Sequence, residues 1–351
     1  MVSTKNMGVP MHLVCSIVRI RVLFVVLLCA GGCAYQEQFV REVIVPAAVE
    51  TVPVPSDDDA ADDPAIWVDP KQPQRSIIIG TDKRSGLLTY TLQGEQMQYM
   101  PIGDLNNVDL RSDPWGQEMT IIAATQRNPA KIALFRLNHA TRQFSLIGKV
   151  DTELLEPYGL CMYLDREARP HVIANSKSGL FIDYLIMPNF DLVARAQWRT
   201  ETQPEGCVVD DVRQRLYFGE EGTGIWVGDL RNMNAVTLLD SVDQPSLVAD
   251  VEGMSIYHGD DASFLVVSSQ GDNSFAVYDL KDRAYLGSFH VGPGETVDGV
   301  NETDGLDVTA VPLPGFPKGL LVVQDGYNQL PREAQNFKLV SWSEVAKALG
   351  L

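Results

Sequence analysis

The chain is poor in cysteine and in histidine, with five of each among 351 residues. Cys15 and Cys29 fall in an N-terminal apolar stretch that ends at Cys33, which leaves Cys161 and Cys207. One pair at most excludes a disulfide-built scaffold. Both residues sit in apolar runs, so buried thiols are expected. The histidines (His12, His139, His171, His258, His290) are scattered and read as structural or surface residues, not as a metal centre. The apolar run Val22 to Ala30 is too short to span a bilayer. Positive charge is scarce, with 28 Lys and Arg against 46 Asp and Glu and a net charge of −18. Such a chain repels nucleic acid and anionic membranes and attracts multivalent cations. No Gly-x-Ser-x-Gly, P-loop or Gly-x-Gly-x-x-Gly stands in a suitable context. Cys207 and Arg213 have the spacing of a cysteine phosphatase, but Val208-Val209-Asp210-Asp211-Val212 is acidic and bulky where a phosphate cradle needs small residues.

What is present divides into three segments. Residues 1–32 carry Lys5, Arg19 and Arg21, no acid, and a short apolar run leading to Ala30-Gly31-Gly32-Cys33. This is the pattern of an export signal, and Cys33 directly after small residues reads as the lipidated first residue of a bacterial lipoprotein. The alternative is an ordinary secretory signal. Removal of the segment takes the net charge from −18 to −21. Ala34 after Cys33 points to the outer membrane; without the lipid the protein is periplasmic or secreted. Residues 33–49 form a tether and the start of a strand, and residues 50–351 form one closed domain.

That domain is an internal repeat. One pattern is an acidic or turn residue before a strand-like run: Asp63-Pro64-Ala65-Ile66-Trp67, Asn107-Val108-Asp109-Leu110, Tyr158-Gly159-Leu160-Cys161, Glu205-Gly206-Cys207-Val208, Glu252-Gly253-Met254-Ser255 and Asp304-Gly305-Leu306-Asp307. The other is an apolar run with a polar tip: Ile77–Arg84, Thr120–Arg127, His171–Lys177, Leu216–Glu221, Phe264–Gln270 and Leu320–Asp325. Copies recur roughly every 43–56 residues, the period of a four-stranded propeller blade. The expected fold is all-β: a six-bladed β-propeller with four antiparallel strands per blade. The last copy shows only three strands, so an N-terminal strand around Phe39–Val54 is expected to close the ring. Only Ser341–Leu351 reads as helical.

Charge sorts along the repeat. In copies one to three the tips are Lys83 with Arg84, Arg127 and Lys177. In copies four to six they are Glu220 with Glu221, Gln270 and Asp325, and the heads are Glu205, Glu252 and Asp304, with Asp298 just upstream. A cleft with a cationic and an acidic wall follows. Lys and Arg bind phosphate or sulfate oxyanions. Clustered carboxylates need a counter-ion, and hard oxygen ligands suit Ca²⁺ or Mg²⁺, with Ca²⁺ preferred.

Asp62-Asp63-Pro64-Ala65-Ile66-Trp67-Val68-Asp69-Pro70, Leu105-Asn106-Asn107-Val108-Asp109, Gln270-Gly271, Thr303-Asp304-Gly305-Leu306-Asp307 and Asn336-Phe337-Lys338 resemble the β-propeller phytases, the alkaline calcium-dependent phytases, from about Glu50 to Trp342. The resemblance implies a 3-phytase-type phosphoric monoester hydrolase acting on myo-inositol hexakisphosphate through water activated by metal ions, with no covalent phospho-enzyme. It implies several Ca²⁺ ions, catalytic and structural. Asp63, Glu205, Glu221, Glu252 and Asp304 match the catalytic calcium cluster, and Lys83, Arg84, Arg127, Tyr158 and Lys177 the phosphate-binding side. Glu50, Asp62, Val108 through its carbonyl, Gln270, Asp298, Gly299 and Asn328 match further calcium ligands. Arg84 stands where a second lysine is common and keeps the charge. The partners expected are phytate and other inositol phosphates, no nucleic acid, and a membrane only through the lipid anchor of a monomer. Two other readings stay open: a calcium lactonase-like propeller hydrolase, which needs no cationic half-ring, and a non-catalytic surface binding propeller.

Overall fold

The computed structural model describes residues 42–351. The signal segment, Cys33 and most of the tether lie outside the described residues. Six antiparallel sheets follow one another along the chain. Their inner strands are Ala61–Trp67, Leu105–Ser112, Pro157–Leu164, Pro204–Asp210, Val251–His258 and Leu306–Thr309. In the first five blades the next three strands follow in order outward from the inner strand. The expected propeller of four-stranded blades is what forms.

The sixth blade takes its outer strand from the other end of the chain. Val49 and Glu50 pair antiparallel with Leu339 and Lys338 of the strand Asn336–Ser341. An additional strand, Ile44–Pro46, runs parallel to Tyr285–Gly292 and makes the fifth blade five-stranded. The N-terminal segment thus covers the outer edges of two blades, leaving fewer open ladders exposed. The helix Trp342–Leu349 ends the chain, and Trp342 stacks on Tyr257 at 4.1 Å between ring centres.

Core side chains lie between blades, where apolar faces of neighbouring sheets meet. Trp67, Ile79, Leu105 and Phe135, for example, fill the space between the first two blades and are fully buried. Closer to the axis the inner strands approach too tightly for side chains. A Cβ at Gly206 would lie 2.2 Å from the Glu252 carbonyl oxygen, and one at Gly159 1.9 Å from that of Glu205. This contact explains why glycine follows the head residue in four of the six copies. Backbone bonds then close the ring: Gly253 N–H donates to Asp304 O at 2.7 Å, and Gly305 N–H to Asp62 O at 3.1 Å.

One expectation is corrected. Cys161 and Cys207 are not thiols; they form a disulfide with a Cα separation of 5.6 Å. They lie 46 residues apart on inner strands of adjacent blades. A spacing within the blade period is what brings them side by side.

Candidate active site

Heads of the inner strands (Tyr158, Glu252, Asp304) and tips of the second strands (Lys83, Glu221, Gln270) border one cavity of about 1350 Å³. Its lining includes Lys83, Tyr158, Glu221, Glu252, Gln270, Asp304 and Asn328. Glu205, Glu221 and Glu252 each present a carboxylate oxygen within 4.8 Å of the others. Glu205 and Glu252 are buried, and Glu221 is half-buried. Asn106 Nδ2 donates to Glu205 Oε1 at 3.0 Å, and Gln203 Nε2 donates to Glu221 Oε1 at 2.5 Å.

Lys83 joins this acidic group to the cationic one. Its ammonium lies 2.6 Å from Asp59 Oδ1, 3.2 Å from Asp62 Oδ1 and 2.8 Å from Asp304 Oδ2. Burial opposes its charge, but the surrounding carboxylates outweigh burial and raise its pKa. Arg127 donates to the Lys83 carbonyl at 2.8 Å, and Arg84 follows Lys83 with its Nε on Asp59 O at 3.0 Å. Lys177 Nζ lies 4.2 Å from the centre of the Tyr158 ring, a cation–π contact. Of the cations expected from sequence, Lys83 lines the cavity itself, with Arg127 bound to its carbonyl and Lys177 stacked on the lining residue Tyr158.

The electrostatics are strongly frustrated. Burial, with Asp62 and Glu221 nearby, pushes the Glu205 carboxyl up to about 7. Glu252 rises well above its ordinary value through burial and through Glu205, with which it shares a hydrogen bond. Asp304 is likewise raised, burial being the largest cause. Asp62 Oδ2 and Glu252 Oε2 are buried with no hydrogen-bond partner. Orphaned buried carboxylate oxygens are costly unless a cation meets them. The donor set, all oxygen with no histidine or thiolate, fits a hard divalent ion such as calcium.

A family model described as Phytase matches residues 14–351. The chain is also similar to a 3-phytase of Bacillus subtilis (strain 168), 36% identical over 326 residues, which cover 87% of this chain and 85% of that protein. The chain belongs to the phytase family. It is a hydrolase of the 3-phytase type.

Within this phytase, one sequence assignment moves. Asp63 does not join Glu205, Glu221, Glu252 and Asp304; its Oδ2 accepts from Val108 N–H at 2.9 Å in the central channel. Asp62 takes the place beside Lys83 and Asp304. The pairing register shifts between Ala61 and Pro64, and across that irregularity the two carboxylates part, one to each site. Asp63 and Val108 instead line a channel cavity of about 350 Å³ with Asp109 and Asp307. Burial raises Asp63, and it raises Asp307 to about 6.

Glu50 and Asp298 belong to a third group, around Lys338. Lys338 is fully buried, with its ammonium 2.5 Å from Glu50, 2.6 Å from Asp298 and 3.3 Å from Asp325. Gly299 follows Asp298 in the chain, and Asn328 Oδ1 is buried without a partner. Gln270 Nε2 donates to Asp304 Oδ1 at 2.7 Å, so Gln270 belongs with the main cluster. Asp59, in the acidic run Asp57-Asp58-Asp59, was no candidate from sequence, yet it caps Lys83. Lys338 was no candidate either. A lysine inside the apolar run Phe337-Lys338-Leu339-Val340 was the available signal for a buried charge cluster.

Proposed function

We propose that this phytase hydrolyses phytate in the cavity above the ring in a calcium-dependent reaction, with water as the direct nucleophile. The observation that carries the reading is the contact of Lys83 with Asp62 and Asp304 at 3.2 and 2.8 Å, beside the triad Glu205, Glu221 and Glu252. Cations that suit phosphate and carboxylates that suit calcium are thereby within reach of one ester. Lys83, Arg127 and Lys177 bind and orient phosphate oxygens, and the Tyr158 hydroxyl is a further donor. Glu205, Glu221, Glu252, Asp62 and Asp304 would hold calcium, with Gln270 beside them. Calcium bound there supplies positive charge against the phosphoryl oxygens and lowers the pKa of water. Among the described residues the cavity lining contains no serine, cysteine or histidine, which favours attack by water without a covalent intermediate.

Glu50, Asp298, Gly299 and Asn328 around Lys338, and Asp63 with the Val108 carbonyl in the channel, are proposed as structural calcium ligands. The protein is proposed to be a monomer exported by its N-terminal segment and anchored through Cys33 in the outer membrane, or periplasmic or secreted without the lipid. The disulfide favours an oxidising compartment. Phosphate release from phytate, titrated with calcium and then with EGTA, tests the metal. Full activity in excess EGTA would refute the metal role. Lys83→Ala tests the site: a lactonase-like activity would be indifferent to it, whereas phytate hydrolysis should be severely impaired.

A further inference from the structure

The sequence places every cation of the site in the first three blades, but the structure adds one from the sixth. The loop from Gly326 to Gln335, after the second strand of the sixth blade, lines the large cavity. It is held at both ends. Gly326 N–H donates to Asn301 O at 2.8 Å, Gln335 Nε2 to Gly326 O at 3.0 Å, and Ala60 N–H to Gln335 Oε1 at 2.7 Å. Asn328 Nδ2 bridges the loop to Ala334 O at 3.1 Å, and Gln329 pairs with Arg332 across it. Arg332 thus stands on a fixed hairpin, exposed at the rim of the cavity.

Among the described residues of that lining, Lys83 and Arg332 are the two that are Lys or Arg. Lys83 is committed to Asp59, Asp62 and Asp304. Arg332 makes no ion pair and no side-chain hydrogen bond among the described residues, although Asp57, Asp58, Glu302 and Glu333 also line the cavity. A guanidinium left unpaired among carboxylates at a cavity mouth is available to an incoming anion, and its planar fork suits phosphate. We propose that Arg332 is a specificity residue that binds a non-reacting phosphate of the substrate, from the sixth-blade loop that borders the same cavity as Lys83. The inference rests on the placement of the reaction in this cavity. A single-phosphate ester held at Lys83 has no second group to offer Arg332, whereas a polyphosphorylated ring does. Arg332 therefore acts on recognition of substrates with several phosphates and not on the chemical step.

The test compares phytate with p-nitrophenyl phosphate at fixed calcium for Arg332→Gln, Arg332→Lys and Arg231→Gln, with thermal melting as a check on folding. Arg231 is an exposed residue paired with Asp229, so its loss changes net charge equally without touching the cavity. For Arg332→Gln the KM for phytate should rise about three- to tenfold at unchanged kcat, the range for an exposed charge-assisted contact. Arg332→Lys should recover much of the loss, and kinetics on the single-phosphate ester should not change. A phytate KM equal to the parent's overturns the proposal, as does an equal change on both esters, a change confined to kcat, or the same shift in Arg231→Gln. Lys83→Ala run alongside separates the two readings. If it is fully active, the reaction is not in this cavity; if it is impaired while Arg332→Gln is not, only the role of Arg332 fails.

Discussion

Replacing Glu205 by glutamine should stabilise the metal-free protein while weakening its response to calcium. In the folded chain burial, Asp62 and Glu221 move this carboxyl from its ordinary 4.5 to about 7. Each pH unit of difference is worth about 1.4 kcal/mol, so the ionised form costs the fold about 3 kcal/mol. The sign follows from proton counts. Between pH 4.5 and about 7 the folded state holds a proton that the unfolded state has released, so stability falls as pH rises through that window and stays low above it. Glutamine keeps Oε1 as the acceptor for Asn106 and removes the charge. With an unfolding entropy of about 2.1 cal/mol/K per residue over roughly 310 residues, 3 kcal/mol corresponds to a Tm gain of about 5 °C at pH 8 in EGTA. At pH 5 the parent is already protonated, and the gain should nearly vanish. Added calcium should reverse the order, because the parent has one more anionic ligand and ligand binding to the native state stabilises it. Calorimetry at both pH values, with EGTA and then with calcium, gives all four numbers. A Glu205→Gln protein that melts below the parent at pH 8 in EGTA, or gains equally at pH 5, refutes the reasoning.

Two further outcomes follow from the same structure. Lys338→Met leaves Glu50, Asp298 and Asp325 facing one another without their buried ammonium, and should cost about 3–5 kcal/mol in chelator, with a smaller loss in calcium; urea melts in both buffers decide it. The Cys161→Ser/Cys207→Ser double variant releases a 46-residue cross-link, worth about 4 kcal/mol of chain entropy, so its Tm should drop while calcium-dependent phosphate release persists, and an unchanged Tm counts against a structural role.

The repeat made the propeller readable because each inner strand must start the same way. A head residue and a glycine recur wherever adjacent strands come within about 2 Å of a would-be Cβ, as at Gly206 and Gly159. The edge problem made the closing strand readable too, although its main pairing is only two residues long, Val49 and Glu50. The extra strand Ile44–Pro46 lies within the same expected stretch, but no requirement in the sequence assigned it to the edge of the fifth blade. At the site, the choice between Asp62 and Asp63 was not legible for a specific reason. The pairing register shifts between Ala61 and Pro64, so counting alternation along the strand cannot say which neighbour faces the cavity. Glu220 and Glu221 pose the same ambiguity. The structure ties Glu220 to Thr202 and to Trp226 Nε1, and leaves Glu221 to the cluster. The disulfide was recoverable in principle, since 46 residues is one blade and equivalent inner strands are neighbours. Arg332 was not, because its loop lies outside both recurring patterns.

The distribution of charge bears on why the proposed reaction needs a metal at all. Phytate is a polyanion, the chain carries −18, and five carboxylates border the proposed reaction centre against the single, already paired Lys83 at its heart. Two like charges about 4 Å apart in a partly solvated site repel by about 4 kcal/mol, so a few such pairs outweigh the hydrogen bonds that Lys83, Arg127 and Lys177 can offer. A cavity lined only with lysine and arginine would bind inorganic phosphate and ester alike, at any ion concentration. Placing acids beside the bases makes the sign of the cavity depend on bound divalent ions: repulsive without them and attractive with them. Affinity for phytate and affinity for calcium are then coupled, and by linkage each must raise the other by the same factor. On this argument the carboxylates do more than hold an ion, since they are also the reason that the substrate does not bind until the ion is there.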